Sequence, residues 1–221
     1  MLAVLRIALG KNEGQFRVGE IHTGNDKAFP ALVLAAGASR RMGCAKALLP
    51  VGSGTLLDHA IGQARQLGGH VTVVAGAWYP LVRYRCRSHP SAWVVAREWS
   101  EGMSASLKTG VANLGPGVKG VFVVLLDQPL IPPEAMLALA EMARMNPSQP
   151  AAADLQGKPG APAYIPRRLW PEIMALEGDR GAAAVLARHG ATRLVMAGAE
   201  SDVDAPEDWR RINGELAEQP R

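Results

Sequence analysis

The thirteen residues from Leu34 to Lys46, Leu-Ala-Ala-Gly-Ala-Ser-Arg-Arg-Met-Gly-Cys-Ala-Lys, constrain this chain more than any other stretch. An apolar run, Ala31 to Ala35, reads as a buried strand and breaks into small residues, two arginines, a glycine and a lysine. A strand end of that composition suits a polyphosphate. Small side chains let the backbone approach closely, and free N–H groups can point at phosphate oxygens. Arginine adds fork-shaped donors and lysine a movable point charge. The spacing is neither that of a P-loop nor Gly-x-Gly-x-x-Gly, the dinucleotide form. Read from this stretch alone, Leu34, Ala35, Ala36, Gly37, Arg41 and Lys46 are candidate nucleotide-binding residues.

With 221 residues the chain is long enough to bury a substantial core. Apolar and charged fractions of 48% and 20% are ordinary for a globular protein. No apolar run is long enough to span a bilayer, so no membrane partner is expected. The apolar start, Met1 to Leu9, is short, interrupted by Arg6 and followed by no small-residue cleavage site, which argues against a signal peptide. Two cysteines, Cys44 and Cys86, make no disulfide framework. A cytoplasmic location is the expectation. A net charge of +4 is too weak and scattered for nucleic acid. Arg83, Arg85 and Arg87 around Tyr84 read as the exposed face of a short helix or an edge.

Residues 1–28 lack the periodicity of the rest of the chain and read as a poorly ordered extension, leaving 29–221 as the functional domain. From Phe29 on, apolar strand runs alternate with helical patterns. That predicts a Rossmann-like three-layer α/β/α sandwich with a mostly parallel sheet. Strands are expected at Ala31–Ala35, Val71–Ala75, Trp93–Ala96, Val121–Leu126, Ala161–Ile165 and Arg193–Met196. Helices are expected from Leu56 to Leu67, at Ser104–Asn113, Pro133–Arg144, Arg180–Arg188 and Pro206–Leu216. Asn146 to Ala153 reads as a linker. Ligands in such folds lie beyond the carboxyl ends of the strands.

The wholly apolar strand Val121–Leu126 ends in Asp127-Gln128-Pro129. A carboxylate there is costly unless paired, and beside a polyphosphate Mg2+ is its natural partner. Capping of the following turn is the competing role. Near the end, Asp202 and Asp204 alternate onto one face of an extended segment, and Asp204 is the better second metal ligand. Glu207 and Asp208 read as charges at a helix start. The hydroxyls of Ser104 and Ser106 could cap a helix or read a base edge. Gly157–Pro162 and Gly178–Gly181 say only "loop", each with one basic residue.

Together these motifs resemble the molybdenum-cofactor nucleotidyltransferase family, especially its molybdopterin cytidylyltransferase-like branch. Leu34 to Gly37, Arg41-Met42-Gly43 and Lys46 carry it first, followed by Gly102-Met103-Ser104 with Ser106-Leu107 and Gly110. Asp127-Gln128-Pro129, Gly178-Asp179-Arg180-Gly181 and Asp202 through Asp208 complete it, from Ala31 to about Asn213. Ala45, Ala161 and Ala205 depart from the family pattern. The resemblance implies a nucleotide-diphosphosugar-transferase-like fold and transfer of CMP from CTP to the terminal phosphate of molybdopterin, with pyrophosphate released. It implies catalytic roles for Arg41, Lys46 and Asp127, with Asp127 and Asp204 holding magnesium. It further implies an acceptor site around Lys158, Gly160, Asp179 and Arg180, and a recipient molybdoenzyme as a partner. Guanylyl transfer, transfer to a sugar phosphate, and a non-catalytic molybdopterin-binding accessory protein remain the alternatives.

Overall fold

A computed structural model describes residues 28–218. Its framework is the strand β1 (Ala31–Ala35), buried at every residue. Side chains of a strand alternate between faces, so each face of β1 must find its own cover. Ala31, Val33 and Ala35 pack into one apolar cluster and Leu32 and Leu34 into another.

After a short hairpin, β2 (Pro50–Val51) and β3 (Gly54–Thr55), comes α1 (Leu56–Leu67). Its buried residues Leu56, Leu57, Ala60, Ile61, Ala64 and Leu67 recur at helical spacing. Thr55 and Asp58 form a reciprocal capping box at its start. The chain continues through β4 (Val71–Ala75), α2 (Leu81–Arg85), β5 (Ala92–Val95), α3 (Met103–Ala112), β6 (Gly120–Leu125) and α4 (Pro133–Met145). Then come β7 (Ala151–Leu155), β8 (Lys158–Pro166), α5 (Trp170–Met174), α6 (Ala183–Arg188), β9 (Thr192–Leu194) and α7 (Pro206–Glu218).

Seven strands form one sheet in the order β5-β4-β1-β6-β8-β7-β9. All neighbours pair in parallel except those of β8, which runs antiparallel to both β6 and β7. Helices α1 and α4 cover the face of Val33, Phe122 and Val124. Helices α3, α5 and α6 cover the face of Leu32, Val74 and Val123. The result is the expected three-layer α/β/α arrangement. Each fully buried Leu, Ile or Val of these layers contributes about 1.5–3 kcal/mol relative to exposure.

Three differences from the sequence reading have local causes. The stretch expected to be a linker runs into the first three residues of β7, whose alanines disguise a strand because alanine has little intrinsic preference for one. The strand expected at Ala161–Ile165 is longer, because Lys158 and Pro159 also pair with Leu155 and Asp154. Helix α6 begins at Ala183 rather than Arg180, after Gly178 turns with a φ of +62°. The extension at residues 1–28 lies outside the described residues except for Ala28, which is buried and accepts from the Lys119 N–H. No helix among the described residues is long and apolar enough to cross a membrane.

Strands β5, β4, β1 and β6 all end on one edge of the sheet, and the candidate residues gather there.

Candidate active site

The loop after β1 is held from outside. The Ala77 N–H donates to the Ala36 carbonyl at 3.0 Å, and the Trp78 indole N–H donates to the Ala38 carbonyl at 3.0 Å. Ser39 takes a left-handed backbone with φ +53°, and its hydroxyl accepts from the Lys46 N–H at 3.3 Å. Two turns come next, Met42 N–H to the Ser39 carbonyl and Gly43 N–H to the Arg40 carbonyl. They leave Arg40 and Arg41 exposed while Met42 is tucked against Val203 and Ile212. Ala45 has a φ of −65°, the value proline would impose, so its departure from the family pattern preserves the backbone.

This geometry delivers Lys46 into the protein. Its side chain is only 10% exposed, and the ammonium lies 3.0 Å from Asp127 Oδ2 and 3.1 Å from Asp204 Oδ1. Arg41 reaches the other oxygen of Asp204 at 2.9 Å, with its own side chain 73% exposed. Three segments far apart in sequence thus share one charge cluster.

The turn after β6 places Asp127. From α1, Gln63 donates to the carbonyls of Gln128 and Ile131, and the His59 Nε2–H donates to that of Pro129. Burial holds the His59 imidazole below its usual pKa despite that hydrogen bond. Gln128 in turn donates to the Ala199 carbonyl at 2.7 Å. The Val203 N–H donates to the Asp127 carbonyl at 2.9 Å, and Val203 is wholly buried. Alternation then turns Asp204 toward Lys46. Asp208 accepts from the N–H groups of Asp204 and Ala205, the helix-start role expected of it. Asp202 is more than a third exposed, yet partial desolvation, then the charge of Asp127, pushes its carboxyl up to about 6.

The opposite wall comes from the segment before α3. Gly102 has a φ of +113°, and a Cβ there would lie 2.5 Å from the Gly178 backbone and 2.6 Å from Asp179 Oδ1. Only glycine fits such a contact. Neither Ser104 nor Ser106 caps α3; the Ser104 N–H, in the first turn of the helix, donates instead to the Gly178 carbonyl at 3.1 Å.

Between the walls lies a cleft of about 430 Å³. Leu34, Ala35, Ala36 and Gly37 line its floor, with Arg41, Lys46, Asp127 and Asp204 at one end and Ser106 and Asp179 elsewhere on its wall. Trp99, Met103 and Arg40 also line it; Arg40 and Met103 lie within the singled-out motifs with no role assigned to them, and Trp99 stands just before one of them. Five expected residues lie outside, among them Asp202, the weaker candidate for a metal ligand. Ser104 is buried behind the wall at 2% exposure, because two helical steps rotate it away from Ser106. Gly160 serves packing, since Leu155 fills the space where a Cβ would stand. Lys158 and Arg180 are exposed and do not reach the cleft.

Asp127 and Asp204 are the groups that could hold a divalent cation. Asp127 Oδ1 is a buried acceptor with no hydrogen-bond partner among the described residues, an arrangement that suits a hard cation. No group of three or more His, Cys, Asp or Glu side chains gathers for a metal among the described residues. The remaining ligands would therefore come from phosphate and water.

A family model described as "MobA-like NTP transferase domain" matches residues 31–193. The purine catabolism protein PucB of Bacillus subtilis (strain 168) is 29% identical over 198 residues, covering 81% of this chain and 93% of that protein. A probable molybdenum cofactor guanylyltransferase of Mycobacterium avium (strain 104) is 33% identical over 117 residues, 51% of this chain and 56% of that protein. Among solved structures, a homologue of Mycobacterium tuberculosis Rv0371c from Mycobacterium sp. strain JC1 superimposes with a TM-score of 0.74 at 28% identity. It covers 86% of this chain and 98% of its own. Rv0371c of Mycobacterium tuberculosis in complex with manganese gives 0.71 at 26% identity, covering 85% and 98%.

Proposed function

The chain belongs to the MobA-like NTP transferase domain family and is a nucleotidyltransferase, and from that premise we propose that it transfers CMP from CTP to the terminal phosphate of molybdopterin, releasing pyrophosphate. The observation that carries the reading is Lys46, its ammonium set between Asp127 and Asp204 beneath a basic loop at the ends of β1 and β6. That is the equipment of phosphoryl-group chemistry rather than of a passive carrier.

No protein nucleophile is required. An oxygen of the acceptor phosphate attacks the α-phosphorus in line, the bond from that phosphorus to the bridging oxygen of the β-phosphate breaks, and the electron pair leaves on pyrophosphate. The protein's part is alignment and charge neutralisation. Lys46 and Arg41 neutralise charge developing on the leaving pyrophosphate, and the loop from Ala36 to Ser39 seats the phosphates. Asp127 and Asp204 would hold a magnesium or similar divalent ion, which supplies further neutralisation of phosphate charge. The manganese complex of the Rv0371c relative supports a divalent ion in the reaction. Asp179, on the opposite wall, is the candidate for the acceptor side. A molybdoenzyme would then take up the product.

Base choice in this reading rests on Ala35 and Ala36, which both line the cleft. The Ala36 methyl lies on the α3 face of the sheet, where it narrows the space for a base and favours a pyrimidine, whereas the Ala35 methyl packs into the cluster on the α1 face. Guanylyl transfer is the second reading, favoured by the 33% identity to a probable molybdenum cofactor guanylyltransferase. Pyrophosphate release measured with each of the four nucleoside triphosphates, with and without molybdopterin and a divalent cation, separates them. CTP should be preferred by about 2–4 kcal/mol in catalytic efficiency. Equal efficiency with GTP would refute the base assignment, release only with another phosphate acceptor would refute molybdopterin, and no release at all would leave a binding protein.

A further inference from the structure

Trp78 lies outside every motif of the sequence and does not line the cleft, yet its indole N–H is spent on a backbone carbonyl of the phosphate loop. A trans peptide points its C=O and the following N–H in opposite directions. The Ala36 carbonyl is drawn toward the Ala77 N–H, so the N–H of Gly37 faces away from that segment. The Ala38 carbonyl is drawn toward the Trp78 indole, so the N–H of Ser39 faces the same way. Neither N–H has an acceptor among the described residues, and Gly37, Ala38 and Ser39 all line the cleft. A Cβ built on Gly37 would meet nothing within 4 Å. Between these two anchors the peptide from Gly37 to Ala38 has no tether of its own among the described residues.

We infer that Trp78 is a positioning residue for the triphosphate: by holding the Ala38 carbonyl outward, it aims the N–H groups of the loop at the phosphates. This rests on the nucleotidyltransferase reading of the cleft. The ring of Trp78 is partly buried against the core on the α1 side, so packing and hydrogen bond both hold the segment, and removing the donor while keeping a ring separates them.

The test compares the unaltered protein with Trp78→Phe, which keeps an aromatic ring and removes the donor, and with Trp78→His, which retains an N–H donor. Affinities for CTP, GTP and inorganic pyrophosphate are measured by titration calorimetry with magnesium present. KM for the triphosphate and for the acceptor are measured separately. Loss of one neutral hydrogen bond should weaken triphosphate and pyrophosphate binding by roughly 3- to 10-fold. KM for the acceptor and the melting temperature should hold, and Trp78→His should recover part of the loss. A purely structural tryptophan would lower the melting temperature and move both KM values together. If Trp78→Phe fails to fold, amide exchange in the unaltered protein decides. Pyrophosphate should protect the Gly37 and Ser39 amides, and unchanged exchange there would overturn the inference. Equal affinities of Trp78→Phe and unaltered protein would overturn the inference and leave the cleft reading standing. Failure of the unaltered protein to bind any triphosphate would overturn both.

Discussion

Replacing Lys46 by methionine, close in length and without charge, tests the charge cluster on two axes at once. Removing one partner of a fully buried ion pair costs about 3–5 kcal/mol, whereas an exposed pair is worth about 0.2–1 kcal/mol. Lys46 is 10% exposed in its side chain, Asp127 24% and Asp204 38%, so the cluster lies between those limits. A stability loss of about 1–3 kcal/mol is expected. At about 2 kcal/mol the melting temperature of a chain this size falls by roughly 4–8 °C. Turnover should fall by about 2–4 kcal/mol of transition-state stabilisation, tens- to several-hundred-fold, read as initial rates of pyrophosphate release. Adding Asp127→Asn removes the carboxylate left uncompensated, so the double variant should regain stability and remain inactive. Treating both basic residues as surface charges would predict no stability loss; that holds for Arg41, 73% exposed, whose replacement by alanine should spare the melting temperature. An unchanged melting temperature in Lys46→Met, or activity above a tenth of normal, would refute the argument for this lysine.

Asp127→Asn alone should keep the fold and abolish turnover at saturating magnesium; more than a tenth of normal activity would remove the aspartate from the metal role. Gly102→Ala, with φ at +113° and the Gly178 backbone 2.5 Å from the new Cβ, should cost about 1–3 kcal/mol of stability by denaturant unfolding. Gly37→Ala, whose Cβ enters open cleft, should change stability by less than about 1 kcal/mol and weaken triphosphate binding in calorimetry. Burial pushes the Asp58 carboxyl up, but hydrogen bonds from Thr55, Ser88 and Cys86 outweigh it and hold the carboxyl well below its ordinary range. Its contribution is therefore complete above the unfolded-chain value of 3.8 and lost as pH falls further. Unfolding midpoints of Asp58→Asn should then lie below those of the unaltered protein at neutral pH and converge with them in acid.

Elements with a strong periodic signal were legible from residues alone. The alternation within β1 and the helical spacing from Leu56 to Leu67 dictate what each face meets, whatever the rest of the chain does. Strand β7 was not, because Ala151 to Ala153 acquire strand conformation from pairing with β8 and β9 rather than from their own preference. In the cleft, residue types could be named but not their meeting. Acidic residues at 127 and 204 were visible; that one ammonium stands between them depends on the Val203 bond to Asp127 and on Met42 packing, both tertiary. The choice between Ser104 and Ser106 needed the phase of a helix, and Trp99 and Met103 carry no pattern that separates a cleft wall from a core.

The match to the family runs only to residue 193, but Val203, Asp204 and Ile212 come after it. Asp204 supplies one of the two carboxylates facing Lys46, and Val203 with Ile212 forms the apolar seat on which Met42 rests. The recognisable stretch of sequence and the cooperative unit therefore have different boundaries. A shortened protein ending at residue 193 would keep nearly the whole sheet yet lose the seat of its phosphate loop. It would also lose the carbonyl that holds Gln128, and Met196 and Ala199 from the main apolar cluster, so the stretch beyond the match belongs to the core as well as to the site.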